Sequence, residues 1–319
     1  WQRDVSAVEA PDLVEAAVGV DTTGRLQTVW QVKLLPVGSD TSCATEDADI
    51  PDWITATAPS AARLSTGTAE PAFEGNPCQV PPAAGYRGLE NQLYRVEVHT
   101  GGPLNTATFK WSRDNATVAT RVSHINSART VLTVEQVGRD DVLRFNDGDW
   151  VEVTDDVREL HGLPGELRRI REVAGVDDAA RTLEFDTALP AGTFPTDGQQ
   201  ATEPARNTRV RRWDQAGDIH RDDNTVVGNV NTGNGEILIP AAGTRLFLEQ
   251  GIVVEFDLAG AGGEFHTGDY WVFAARTADA SVETLVQAPP LGIHHHYARL
   301  AVVDLPDGET DCRTLWPPI

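Results

Sequence analysis

Apolar residues in this 319-residue chain recur at every second position, in short runs that stop at glycine, proline or aspartate, and almost nowhere at the spacing of a helix. That period decides the fold class, because side chains alternate across a strand but line one stripe of a helix. The clearest case is 85–118, GYRGLENQLYRVEVHTGGPLNTATFKWSRDNATV. Tyr94, Val96 and Val98 alternate there with Leu93, Arg95, Glu97 and His99, until Gly101-Gly102-Pro103 breaks the run. Ala107, Phe109 and Trp111 then alternate with Thr108 and Lys110, before Asp114-Asn115 turns the chain again. The stretch predicts a hairpin-like unit with Phe109 and Trp111 in the core and the polar alternates in water.

Other runs read the same way. Residues 25–35 (RLQTVWQVKLL) place Leu26, Thr28, Trp30, Val32 and Leu34 on one face, so Trp30 is also expected in the core. Strands are predicted at 130–137, 150–154, 167–173, 181–185, 246–257 and 268–276, with turn residues between them. Pro11 keeps any helix through Val8, Leu13 and Ala17 short. Residues 36–84, rich in Pro, Ala, Ser, Thr and Gly and without a sustained period, read as a long excursion with at most short strands or one helical turn near 59–64. A loop of that length is expected to lie across a domain face or against another subunit. The predicted fold is all-β, with two or three β-sandwich or barrel-like modules, long loops and little helix. The modules are expected at 1–137 (carrying the excursion at 36–84), 138–200, and 201–319 with a C-terminal tail.

Composition enters where it excludes partners. Against 26 basic residues stand 48 acidic ones, a net charge of −22. Such a chain repels phosphate backbones and anionic bilayers, so no nucleic-acid partner is expected. No apolar run approaches the length of a membrane span. There is no Met, even at position 1, so the chain is expected to be a fragment or a processed product. The only lysines are Lys33 and Lys110.

The chemistry-bearing motifs are sparse. GxSxG, P-loop, GxGxxG and HExxH are all absent, so no catalytic residue is assigned; a glycosidase pair could still hide among the carboxylates. Three cysteines are too few for a disulfide scaffold and lack zinc-site spacing. Cys43 and Cys78 share the long excursion, where either a disulfide between them or two buried thiols would fit, and Cys312 is left over and expected to be packed. His294 and His296 flank His295 and would fall on one side of an extended segment, as candidate metal ligands. The acidic loops at 140–149 and 214–234 offer hard oxygens of the kind calcium takes, without matching an EF-hand. No other cofactor is indicated.

Taken in order, RLQTVWQVKLLP (25–36), GYRGLENQLYRVEVHTGG (85–102), TFKWSRDN (108–115), GDWVEV (148–153), VRRWDQ (210–215), GDYWVFAART (268–277) and HHYARLAVV (295–303) resemble a family of uncharacterised bacterial proteins over nearly the whole chain. The resemblance implies a large β-rich protein, some members being associated with phage-tail-like contractile injection systems or surface assemblies, and it carries over no catalytic residue. The expected function is a non-catalytic structural or interaction subunit of a phage-tail-like or extracellular multimeric assembly, partnered by itself or by other subunits. Its expected place is outside the cell or on its surface, with assembly in the bacterial cytoplasm before release as the other route. The competing reading is a carbohydrate-binding or polysaccharide-processing surface protein, with a glycan as ligand.

Overall fold

The computed structural model describes residues 1–18, 23–69, 85–138, 140–197, 206–260, 262–304 and 308–313. The chain divides into two units: a larger one of Val5–Arg25 and Ser60–Gly292, and a smaller one of Trp1–Asp4, Leu26–Pro59 and Ile293–Ile319. The fold is all-β, with helix confined to a few short turns.

The larger unit is built from three antiparallel sheets. The first has the order Ile237–Leu238, Thr108–Ser112, Gln92–Thr100, Tyr270–Arg276, Ser281–Val282. Its register sets Val96 opposite Trp111, Val98 opposite Phe109 and Glu97 opposite Lys110. The second has the order Val226–Asn229, Asp218–Arg221, Arg245–Phe247, Ile252–Leu258, Ala62–Thr68. The two share one apolar core, in which the Phe109 and Phe256 rings lie 4.7 Å apart and Tyr94 stacks on Phe273 at 5.6 Å. Each such side chain, fully buried, contributes about 1.5–3 kcal/mol, so the alternation of Tyr94, Val96, Phe109 and Trp111 is what joins these sheets face to face.

The third sheet has seven strands, in the order Val176–Asp177, Thr182–Glu184, Val131–Val134, Ala119–Ile125, Arg209–Trp213, Trp150–Thr154, Glu166–Arg169. It packs around its own core of Ile125, Leu132, Val151, Ile170, Leu183 and Val210. Its strands come from both sides of residues 137 and 200, and the first sheet joins 92–112 to 237–282. The modules expected at 1–137, 138–200 and 201–319 are therefore not the units of folding. Periodicity tells which face of a strand is buried and is silent on which distant strand will pair with it.

Where short strands or one helical turn were expected near 59–64, the chain forms the strand Ala62–Thr68, whose Ala62, Leu64 and Thr66 face inward, while a helix stands earlier, at Pro51–Thr57. Pro51 occupies its first turn, where the missing N–H costs nothing. The strand expected through 25–35 is only Arg25–Thr28. Beyond it Trp30 is 91% exposed, Val32 80% and Leu34 81%. Trp30 is thus not a core residue: its alternation is real, but no described residue covers the face it defines.

The smaller unit buries little apolar surface, Ile50 being its one buried large hydrophobic residue among the described residues. Instead it is cross-linked. Cys43 is bonded to Cys312, with Cα atoms 5.0 Å apart. This overturns the pairing with Cys78, which lies outside the described residues, and the reading of Cys312 as left over. The antiparallel pair Ala301–Asp304 and Gly308–Asp311 leads directly into Cys312. Arg299 adds an ion pair to Asp47 at 2.8 Å and a hydrogen bond to the Thr45 carbonyl, and the Trp53 ring meets Tyr297 edge-on at 6.4 Å. A bond closing so long a loop is expected to stabilise this unit by about 2–4 kcal/mol. Mild reduction should therefore raise hydrogen exchange in 38–59 and 293–313 while leaving the amides of Gln92–Thr100 and Thr108–Ser112 protected. Among the described residues, no helix is long and apolar enough to cross a membrane.

Candidate functional site

Strand alternation sends Arg95, Glu97 and His99 to the face of the first sheet opposite Tyr94, Val96 and Val98, and sends Lys110 the same way. That face was expected to be wet. It is not: Lys110 is 2% exposed and His99 3%, because Glu152 and Trp213 of the third sheet lie against them. A buried cluster of ionisable side chains therefore lies at a junction between sheets.

Lys110 Nζ donates to Glu152 Oε1 at 2.6 Å, and lies 3.2 Å from Glu97 Oε1 and 3.4 Å from His99 Nδ1. It also sits 4.6 Å from the Trp213 ring centroid, a cation–π contact. An ammonium has three protons and no acceptor, so these three polar neighbours match its capacity. His99 Nδ1 also lies 3.5 Å from Glu152 Oε1, and its Nε2 faces Glu236 Oε1 at 3.8 Å. Glu152 accepts two further bonds, from Gly165 N at 3.0 Å and Trp213 Nε1 at 3.1 Å. Only glycine permits the first, since a Cβ at position 165 would stand 2.3 Å from Glu152 Cγ. Glu97 completes its shell with Arg95 Nε at 2.7 Å, and the Arg95 guanidinium lies over the Tyr270 ring.

The two carboxylates and two cations cancel locally. Burial pushes the Glu152 carboxyl up, but Lys110 and His99 beside it together more than reverse this and hold it well below the ordinary glutamate range. Glu97 is lowered for the same reason, with burial outweighed by Lys110 and then Arg95. A depressed folded-state pKa contributes stability that is present above the unfolded value of about 4.3 and is lost as pH falls through the folded value. The wild-type melting temperature should accordingly drop with acidification below about pH 4.3. Glu152→Gln should lower stability near neutrality and make that drop shallower, as followed by thermal melts across pH.

Chemically the cluster offers little to a substrate. General acid–base work requires a group poised to change protonation and reachable by a reactant, whereas Lys110 and Glu152 are buried and their hydrogen-bonding capacity is taken by protein groups. The arrangement pins the third sheet to the first. Other buried charges are matched in the same manner. Arg209 is surrounded by Glu9, Asp156 and Glu159. Arg212 reaches the carbonyls of Val142 and Arg144 as well as Asp114. Tyr94 Oη and Arg113 Nη2 both donate to Glu249, each at 2.8 Å.

The remaining sequence candidates lie elsewhere. Phe109 and Trp111 are buried in the sandwich core. His294 and His296 are exposed in the smaller unit, where the His294 carbonyl accepts from Gln2 N and the His295 ring stacks on Trp1 and Tyr297. Among the described residues, no three His, Cys, Asp or Glu side chains converge to hold a metal ion, so His294 and His296 have no third ligand there. In the acidic loop at 140–149, Asp147 accepts from the backbone N–H groups of Ala174, Gly175 and Val176, and Asp140 from those of Val142 and Leu143. These carboxylates hold turns together.

Sequence reasoning missed the Glu97, His99, Lys110 and Glu152 cluster. One signal pointed to it: Lys110, one of only two lysines, lies on the polar face of a run whose opposite face is wholly apolar.

The profile of a family of unknown function (DUF6519) matches residues 1–63 and 52–318. No curated protein and no solved structure matches the chain.

Proposed function

The chain belongs to the DUF6519 family, and from that premise we propose that it is a non-catalytic structural subunit of a multimeric assembly, of the phage-tail-like or extracellular kind. The observation that carries this reading is the bare apolar segment at 26–37, where Leu26, Trp30, Val32 and Leu34 are all strongly exposed. Isolated exposed apolar side chains are ordinary, but a run of them in one short segment marks an interaction surface. The matched interior charges support the same reading, since the buried ionic clusters are engaged within the protein. The Cys43–Cys312 bond favours an oxidising compartment, and with it an extracellular or cell-surface location. Electron microscopy and light scattering on the full chain test the proposal. Ordered multimers are expected, and a monodisperse monomer would count against it.

One observation favours glycan binding as a second reading. Trp1, His295 and Tyr297 form a partly exposed aromatic stack in the smaller unit, with centroids 6.1 and 5.8 Å apart, and flat aromatic surfaces suit sugar rings. Glycan arrays comparing the wild type with Tyr297→Ala decide it: binding lost in the variant supports this reading, and an array silent for both removes it.

A further inference from the structure

The segment 29–38 (VWQVKLLPVG) combines three properties. Its apolar side chains are exposed; residues 32–37 form no backbone hydrogen bond with any described residue; and with Arg25 and Lys33 it carries only positive charge from 25 to 38. In a chain of net charge −22 a basic apolar arm is an outlier. Val32, Lys33, Leu34 and Leu35 are available to add as a strand, and Pro36, which lacks an N–H, limits the strand at its far end.

The larger unit holds a matching acceptor. Val226–Asn229 is the outermost strand of the second sheet and pairs, among the described residues, only with Asp218–Arg221. Its Val226 and Val227 are both exposed. The hairpin it closes carries Asp218, Asp222 and Asp223 against Arg221, all four exposed, and Arg245 of the adjoining strand lies 3.4 Å from Asp222, which leaves Asp223 without an ion pair of its own at the edge among the described residues. An unprotected strand edge with apolar side chains is a template for strand addition. Here the edge is acidic and the free arm basic.

We infer that the arm at 29–38 of one copy adds as an extra strand to the Val226–Asn229 edge of a second copy, with Lys33 set against Asp222 and Asp223. This rests on the assembly reading above and names its joint. Because donor and acceptor are different patches of the same chain, each copy both gives and receives. Such a contact closes into a ring or runs on as a filament, in keeping with a subunit of a repeating assembly.

The lysine content makes the test clean, because Lys33 is the only exposed lysine, Lys110 being buried. The full chain, mixed with its heavy-isotope-labelled form, is treated with a carbodiimide that joins amines to carboxylates without a spacer, and the linked peptides are identified. Mixed-isotope links from Lys33 to Asp222 or Asp223 are expected, together with slowed amide exchange at 226–229 in the multimer. Both should be lost in the arm variant Trp30→Glu/Val32→Glu/Leu34→Glu and in the edge variant Val227→Pro, with the near-ultraviolet spectrum of the sandwich tryptophans retained. If Val227→Pro loses that spectrum, Asp222→Lys/Asp223→Lys takes its place and should weaken assembly, with Lys33→Glu restoring it. Multimers that persist in the arm variant, or that link Lys33 only elsewhere, would overturn the inference and leave the assembly reading standing. A wild-type chain that stays monomeric would overturn both.

Discussion

Lys110→Met should destabilise the larger unit by about 3–5 kcal/mol, the cost of removing one partner from a buried ion pair and leaving the other uncompensated. Methionine keeps much of the length of the lysine stem but no charge. Glu97 and Glu152 would then face each other between sheets without the cation that lies between them, and the depression of both carboxyls depends first on Lys110. Urea unfolding followed by tryptophan emission is the suitable measurement, since Trp213 touches both Lys110 and Glu152 and reports on this junction. The pairing itself is tested by a double-mutant cycle. Lys110→Met with Glu152→Gln should cost clearly less than the sum of the two single changes, because two residues in direct contact do not act additively. Simple additivity would mean the pair does not hold the sheets together.

Trp111→Ala should cost about 3–5 kcal/mol as well, by a different route. The indole is buried beside Tyr94, with ring centroids 6.1 Å apart, and the backbone of the same residue is tied to Asp214 N and the Gln215 side chain. Truncation empties a site in the shared sandwich core and loosens a strand whose back face carries Lys110. Folding and assembly should fall together. A variant that folds with wild-type stability but loses a single ligand would place Trp111 in a binding site and refute its scaffold role.

The residues on which sequence and structure agree are those whose environment is set locally. Tyr94, Val96, Val98, Phe109 and Trp111 face the core because a period of two leaves them no other side, and the Gly-Gly-Pro break at 101–103 separates two strands that pair directly. What was not legible depended on distant partners. The polar face of the same hairpin reads as solvated until Glu152, 42 residues beyond Lys110, and Trp213 are folded against it. Cys43 reads as a partner for the nearer Cys78, whereas its bond is to Cys312, 269 residues away. Trp30 shows the converse. Its run alternates as a core strand does, and alternation carries no information on whether a covering surface exists within the same chain.

That bare run is where function is expected to lie, so the most direct test is the mass of the chain in solution. Sedimentation velocity across a wide range of concentration should give multimers that dissociate when Trp30, Val32 and Leu34 are changed to glutamate. A wild-type protein that sediments as a single monomeric species at every concentration would contradict the account.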